Sequence, residues 1–460
     1  MIMPELISRN PATLEEVGRV PVSTAEEVDR AISRAHTAFA QWRTDRSERQ
    51  QMLHRCSVAL TQSSDRLSAL LVAEQGKITP EAQGEVWISA RAFDHVATAS
   101  WDDEVPAPKA PGRKASIQKV PFGVVAAVVP WNFPVYLTVA KIAPALAAGN
   151  TVVVKPAESV ALVVGEMVSI LQSILPAGVV EIVHGGPDIG RRLVEHPEVR
   201  KISFTGSTGV GRQIMKQAAQ TITPVALELG GNDPVIVLDD ADMEQTATSL
   251  ARSAFFNAGQ MCVAPKRAYV PHARLDEFCE AFTAVASKIS VGNGADPATG
   301  MGPLHNEAQH AFVRSLLDKA TANGATVVTG GGRGTDLPGW FLEPTLVRDV
   351  DDSSEIVALE QFGPVFPVVG YDSLDQVIDT LNGQAFGLGA SVWGSDEAAA
   401  IRVAEQLEAG SVWVNQHNAV EVELPFGGMK ASGFGREGGA AGIEEFLQTR
   451  VLSIRTPHGA

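Results

Sequence analysis

Three side chains that stand far apart in the chain, Cys262, Glu228 and Asn132, are of the types that one covalent reaction would use. Cys262 lies in Phe255-Phe256-Asn257-Ala258-Gly259-Gln260-Met261-Cys262-Val263-Ala264-Pro265, between a helix-like apolar pattern and the strand-like run Arg267-Ala268-Tyr269-Val270. A thiol becomes a strong nucleophile when its thiolate is populated, and such junctions can favour that form. A lone cysteine is more often a small buried hydrophobe. Asn132 sits in Pro130-Trp131-Asn132-Phe133-Pro134, where an amide framed by aromatics and prolines is a rigid donor for a developing oxyanion. Glu228 is placed among apolar residues in Leu227-Glu228-Leu229-Gly230-Gly231-Asn232. Burial raises a carboxyl pKa, as a general base working near neutrality requires. Only the fold can bring these groups together.

Two further stretches suit a phosphorylated, sugar-bearing ligand. Phe204-Thr205-Gly206-Ser207-Thr208-Gly209-Val210-Gly211 reads as a strand-to-helix turn whose free N–H groups can receive an anion such as a pyrophosphate. It is not the G-x-G-x-x-G fingerprint. Lys155-Pro156-Ala157-Glu158 ends another strand, and a carboxylate there can accept from ribose hydroxyls.

The elements that must position these residues alternate from residue 123 onward. The pattern predicts strands at 123–129, 151–155, 179–183, 201–204 and 225–228, with helices from Pro134 to about 148 and at 160–175, 188–195 and 208–220. Near-continuous apolar strands separated by helices mean a parallel sheet covered on both faces, which binds ligands at the carboxyl ends of its strands. A second α/β unit follows, with strands at 235–238, 365–369 and 411–415 and helices at 243–256, 306–322 and 374–381. Before these, 24–42 and 47–71 read as helices, with Thr24 and Glu27 as a capping box. Residues 107–113 are rich in Pro, Gly and Lys and read as a boundary, and the terminal run 449–454 is a strand that needs a partner. The uncharged run 120–140 is long enough for a membrane span, but Pro130, Asn132 and Pro134 divide it into strand, turn and helix.

A chain of 460 residues exceeds a single core. A net charge of −16 argues against nucleic acid as a partner. The 3 cysteines are odd in number and far apart, so neither a disulfide framework nor a metal site is expected, and a reducing cytoplasm is the expected compartment. The first ten residues lack the apolar core of a signal peptide.

Taken together with Glu360-Gln361-Phe362-Gly363-Pro364 and Pro425-Phe426-Gly427-Gly428-Met429-Lys430, these motifs resemble the aldehyde dehydrogenase superfamily, in its hydrolytic, NAD(P)-dependent form, over nearly the whole chain. The resemblance implies an α/β fold: a Rossmann-like parallel-sheet cofactor domain (1–100 and 119–228, with 425–446 returning to it), an α/β catalytic domain (229–424) and a small β oligomerisation arm (101–118 and 447–460). Cys262 would attack the aldehyde carbon, and the Asn132 side chain with the Cys262 N–H would form the oxyanion hole. Hydride loss to the nicotinamide would convert the thiohemiacetal to a thioester, which water activated by Glu228 would hydrolyse. Lys141 falls where the family keeps a lysine near the proton path. Lys155 and Glu158 would hold the adenosine ribose, Glu360 the nicotinamide ribose, and Trp131 and Ser207 the pyrophosphate. Thr205, Gly206, Leu229 and Phe362 complete the expected cofactor contacts. The cofactor is NAD, because Glu158 would repel a 2′-phosphate, with NADP admissible because Lys155 softens that repulsion.

The implied substrate pocket is Phe133, Tyr136, Leu137, Ala140, Met261, Val263, Val420 and Phe426, a set that suits a hydrophobic aliphatic or aromatic aldehyde. His417, Asn418, Glu421 and Glu423, on the loop before Phe426, offer a polar or cationic tail as the alternative, and no arginine stands on that loop for an acidic semialdehyde. The family's hairpin ahead of residues 10–13 is expected to be missing. A homodimer or homotetramer is expected, with no membrane contact. The competing readings are a CoA-acylating relative, against which Glu228 speaks, and a non-catalytic protein on the same fold.

Overall fold

Residues 4–108 and 113–455 are described by a computed structural model. Within it, five strands of a six-stranded sheet run parallel, in the order Val225–Glu228, Val199–Thr205, Val124–Val128, Thr151–Lys155, Val180–Ile182. Their residues are almost all buried, which explains the unbroken apolar runs. The chain leaves Val124–Val128 first to one side and later returns on the other, so the switch point lies between that strand and Val199–Thr205. Neighbouring strands there part at their carboxyl ends and leave a crevice. Glu228, Thr205 and Lys155 are the last residues of three of these strands, and the Asn132 turn follows the fourth.

Helix Pro134–Ala147 starts with proline at its first turn and ends at Gly149, whose φ of +94° lets the chain reverse. The suspected membrane run is therefore a strand, a turn and a helix. Among the described residues no helix is long and apolar enough to cross a membrane. The second, seven-stranded sheet carries Pro234–Val237, Arg267–Pro271, Val365–Tyr371, Gly389–Trp393 and Ser411–Val414 in parallel, with Thr326–Thr329 antiparallel at its edge. The two sheets rest on separate apolar cores.

Several expectations change. Residues 47–71 are not one helix: the chain breaks at Ser63 into Arg46–Gln62 and Ser64–Glu74, the Ser63 N–H closing the first helix onto its last carbonyls. The N-terminal edge is paired, since Glu5–Arg9 and Glu16–Pro21 form an antiparallel hairpin around residues 10–13. Asn10 shapes that turn by accepting from the N–H groups of Ala12 (2.8 Å) and Thr13 (3.3 Å). The capping box of Thr24 and Glu27 is present. The terminal strand Leu447–Arg455 finds its partner inside the chain, pairing along its full length with Arg113–Pro121, which also pairs with Glu104–Pro106. Residues 109–112 and 456–460 of the expected arm lie outside the described residues.

Asn150 ties these parts together. Its Oδ1 accepts from the Gly123 N–H (3.0 Å), and its Nδ2 donates to the carbonyls of Ala145 (3.1 Å) and Phe446 (2.9 Å), all in a site without exposed surface. Asn150→Ala leaves several buried backbone groups without partners. It is expected to lower stability by roughly 2–4 kcal/mol, read as a reduced midpoint in urea unfolding with unchanged slope.

Candidate active site

The loop that presents Cys262 is held in a conformation that costs energy. Asn257, Ala258 and Gly259 lie consecutively at left-handed φ values of +49°, +53° and +72°. For the non-glycine residues this costs about 1–2 kcal/mol each. A Cβ on Gly259 would come within 2.3 Å of the Gly363 carbonyl, so only glycine fits. Gln260, fully buried, fixes the turn: its Nε2 donates to the Asn257 carbonyl (3.0 Å) and its Oε1 accepts from the His305 N–H (2.8 Å).

This loop, from the seven-stranded side, faces the switch-point turns of the parallel sheet across one cleft. The cleft is lined by Pro130, Trp131, Asn132, Thr205, Gly206, Ser207, Leu229, Gly230, Cys262, Gln309, Glu360 and Phe362. Cys262 and Asn132 therefore converge with seven of the expected cofactor residues, Trp131, Thr205, Gly206, Ser207, Leu229, Glu360 and Phe362. Cys262 is partly exposed, while Asn132 is buried. The Asn132 Nδ2 donates one N–H to the Gln260 carbonyl (3.1 Å), which leaves its second for the cleft. The Cys262 backbone N–H has no acceptor among the described residues.

The walls are rigid. Trp131 stacks on His305 (4.7 Å, 11°) and meets Phe362 edge-on (5.6 Å, 86°). Glu360 accepts the Gly231 N–H (3.0 Å), and burial raises its carboxyl to about 7 against the opposing charge of Lys266. A Cβ on Gly230 would lie 2.3 Å from that carboxylate, so the Gly-Gly pair admits it. Ser207 caps helix Thr208–Thr221 by accepting from Val210 N–H (3.3 Å). Gln309 was missed by sequence reading: it donates to the carbonyls of Gln361 (2.9 Å) and Phe362 (3.0 Å) and so ties Glu360's loop to the cleft.

Other expected residues lie outside the cleft lining. Lys155, buried, and Glu158 stand near Gly190 and Gly186, where an added Cβ would come within 3.4 and 3.5 Å of them. Burial lowers the Lys155 pKa, and Glu158 opposes the fall. Glu228 lies behind the wall against Gly427, where a Cβ would come within 2.8 Å of its Oε1. Neither of its carboxylate oxygens accepts a hydrogen bond among the described residues. Burial pushes its pKa well up, Glu437's charge adds to the rise, and Lys141 and Arg436 oppose it. Lys141 is fully buried and donates to Thr205 Oγ1 (2.7 Å) and to Glu437. Glu437 too was missed; its backbone pairs with Phe426 through two 2.7 Å bonds, which pins the Pro425–Lys430 motif to this pocket. The Cys262 thiol is pushed up by burial and by the charges of Glu360, Asp233 and Glu228, with Lys266 opposing.

Of the expected substrate wall, Met261, Val263, Val420 and Phe426 pack with Cys262 in one apolar cluster. Phe133 stacks on Phe256 (6.0 Å, 13°), a residue not singled out from sequence. Tyr136, Leu137 and Ala140 follow Phe133 at helical spacing, and Leu137 and Ala140 are buried outside the main core. Burial and the charges of Glu437 and Cys262 raise the Tyr136 phenol. The polar-tail reading loses two members. His417 turns inward to Ser391 Oγ (2.8 Å) and the Val263 carbonyl (3.1 Å), with burial lowering its pKa to about 3. Glu423 pairs with Arg91 from helix Thr79–Thr98, so an arginine does reach this loop, and it arrives already paired.

The family profile of the aldehyde dehydrogenases matches residues 4–452. Phenylacetaldehyde dehydrogenase of Pseudomonas fluorescens is 38% identical over 459 residues, covering 97% of this chain and 91% of the relative. The NADP+ succinate-semialdehyde dehydrogenase of Escherichia coli is 39% identical over 453 residues, covering 97% and 93%. Among solved structures, betaine aldehyde dehydrogenase of Staphylococcus aureus in complex with NAD+ superposes with a TM-score of 0.96 at 33% identity, covering 99% of this chain and 92% of that one. The chain belongs to the aldehyde dehydrogenase family, oxidoreductases that convert aldehydes to acids with NAD(P).

In the role expected of it from the sequence, Glu228 would act only when ionised, so deacylation would rise with pH through its raised pKa. Glu437→Gln removes a like charge and lowers that pKa. The rising limb of kcat against pH is expected to move to lower pH, measured where deacylation limits turnover; an unmoved limb, or one moved upward, contradicts the coupling.

Proposed function

We propose that this chain oxidises a hydrophobic aliphatic or aromatic aldehyde to its acid, with NAD+, by covalent catalysis at Cys262 and hydrolysis assisted by Glu228. The observation that carries the reading is the convergence of Cys262, the spare N–H of Asn132 and the Glu360 carboxylate on one cleft, with the unpartnered Glu228 behind it. In this reading the Cys262 sulfur adds to the carbonyl carbon as its proton passes to ionised Glu228, which releases it before the hydrolysis, and the Asn132 amide and the Cys262 N–H receive the oxyanion. NAD+, when bound, supplies the hydride acceptor that turns the thiohemiacetal into a thioester. Glu228 then takes a proton from the water that attacks the thioester, and Lys141 with Glu437 offers that proton a buried route.

The residues present fit the dinucleotide. Trp131 and Phe362 offer flat walls, Glu360 and Glu158 offer acceptors for ribose hydroxyls, and the helix start at Thr208 would receive the pyrophosphate. Glu158 favours NAD+ over NADP+, and Lys155 leaves the phosphorylated form admissible. The apolar cluster around Cys262 and the Phe133–Phe256 stack support a hydrophobic aldehyde, as does the phenylacetaldehyde relative. We assign the parallel six-stranded sheet to the cofactor, the seven-stranded sheet to catalysis, and the three strands containing Leu447–Arg455 to an oligomerisation arm. The open outer edge of that strand, with Val451, Leu452 and Ile454 exposed, suits a homodimer or homotetramer. The free thiol at Cys262 suits a reducing, cytoplasmic setting.

Cys262→Ala is expected to abolish NADH production while NAD+ binding survives; turnover in that variant refutes the mechanism. A panel of aliphatic, aromatic and amino aldehydes with NAD+ is expected to give the highest rate with an apolar member. Free acid should appear without CoA. Strict CoA dependence would assign the chain to acyl transfer, and a panel without turnover would leave only a binding role.

A further inference from the structure

One buried charged cluster takes no part in the chemistry above. Glu81 and Glu85, four residues apart on helix Thr79–Thr98, project to one side, and Lys77, just before the helix, reaches Glu85. The side chains of Lys77 and Glu85 have no exposed surface, and they pair with one another. The Lys77 Nζ also donates to the Asn132 backbone carbonyl (3.1 Å) and stands 4.0 Å above the Phe133 ring. Through its other oxygen, Glu85 accepts the N–H groups of Val135 (2.8 Å) and Tyr136 (3.1 Å). Helix Pro134–Ala147 has no side-chain cap of its own, so Glu85 caps it from a different helix.

The same helix reaches the nucleophile loop. Glu81 accepts the N–H of Asn257 (2.9 Å), the first of the left-handed residues before Cys262. Asn257 Nδ2 donates in turn to the carbonyls of Asn132 (3.0 Å) and Gln260 (3.3 Å). The Gln260 carbonyl is the one that holds the Asn132 amide (3.1 Å). The hydrogen bonds therefore close a ring: Lys77 and Asn257 fix the Asn132 backbone, Gln260 fixes its side chain, and Glu81 fixes Asn257. The amide that faces the cleft and the loop that carries the thiol are referred to one helix.

A purely structural anchor would not need charge. Buried ion pairs contribute little net stability, and apolar residues of similar volume often hold a chain as well or better. A lysine that donates to one particular carbonyl, and a carboxylate that receives two particular N–H groups, impose direction, which apolar packing does not. We propose that Lys77, with Glu85 and Glu81, is a positioning residue that sets the orientation of the Asn132 amide relative to Cys262, and that it acts on aldehyde oxidation through Asn132. This rests on the reading of Asn132 as the oxyanion donor.

The test is a mutant cycle on the pre-steady-state rate of NADH formation, using NAD+ and the best aldehyde of the panel. Lys77→Met is expected to slow this step by roughly 10²-fold, the scale of a small misplacement of a reacting group, with NAD+ affinity unchanged. In an Asn132→Ala background the same change should cost about threefold or less, because independent sites multiply whereas groups acting as a unit do not. Lys77→Met leaves Glu85 unpaired and can unfold the protein. The paired variant Lys77→Met/Glu85→Gln removes both charges and carries the test in that event, with the same slow step expected. The proposal is overturned if the paired variant forms NADH at the wild-type rate, or if the loss multiplies fully in the Asn132→Ala background. A wild-type rate in Asn132→Ala alone is a different failure: it removes the oxyanion role itself.

Discussion

Placing charge where water is scarce is the constraint on which this site depends. The cleft lies between two sheets, and the ionisable groups around it are buried with it. Burying an unpaired ion costs several kcal/mol or more, so such groups pair, accept backbone N–H bonds, or change protonation. Lys141 is paired with Glu437, Lys77 with Glu85, and Glu360 accepts from Gly231. Lys266 donates to the Gly259 carbonyl (2.8 Å), and burial lowers its pKa. Glu228, behind the cleft wall, is the exception. Its environment favours the proton-bearing form, and neither of its oxygens accepts a hydrogen bond among the described residues.

The same constraint shapes the nucleophile. Burial and nearby carboxylates hold the Cys262 proton on sulfur, so in the proposed reaction the thiol would lose it as attack begins rather than beforehand. A site that keeps a buried carboxyl and a buried thiol neutral avoids storing like charges beside one another. The proposed reaction relies on geometry: a strained turn through Asn257, Ala258 and Gly259 leads into Gln260, whose carbonyl holds the Asn132 amide two residues before Cys262.

Much of this was legible in the sequence because the signals are local. Continuous apolar runs identify Val124–Val128 and Thr151–Lys155 as buried parallel strands, and Pro130, Trp131 and Asn132, in the turn after the first, line the crevice. What was not legible depends on contacts between distant segments. Glu437 meets Lys141 across 296 residues, and Arg91 meets Glu423 across 332. Nothing near either residue in sequence announces the meeting. His417 enters the alternative polar-tail reading only through its place on the loop before Phe426; the fold turns it inward to Ser391. The break at Ser63 escaped notice because helical periodicity continues on both sides of it.

The account stands or falls on a covalent acyl group at Cys262 whose release depends on Glu228. The most direct measurement is peptide mass spectrometry of the Glu228→Gln variant after rapid mixing with NAD+ and an aldehyde that the wild type oxidises. The expected result is one acyl increment on the peptide containing Cys262, stable long enough to isolate and released by hydroxylamine. Steady turnover with no adduct, or an adduct on another residue, would contradict it.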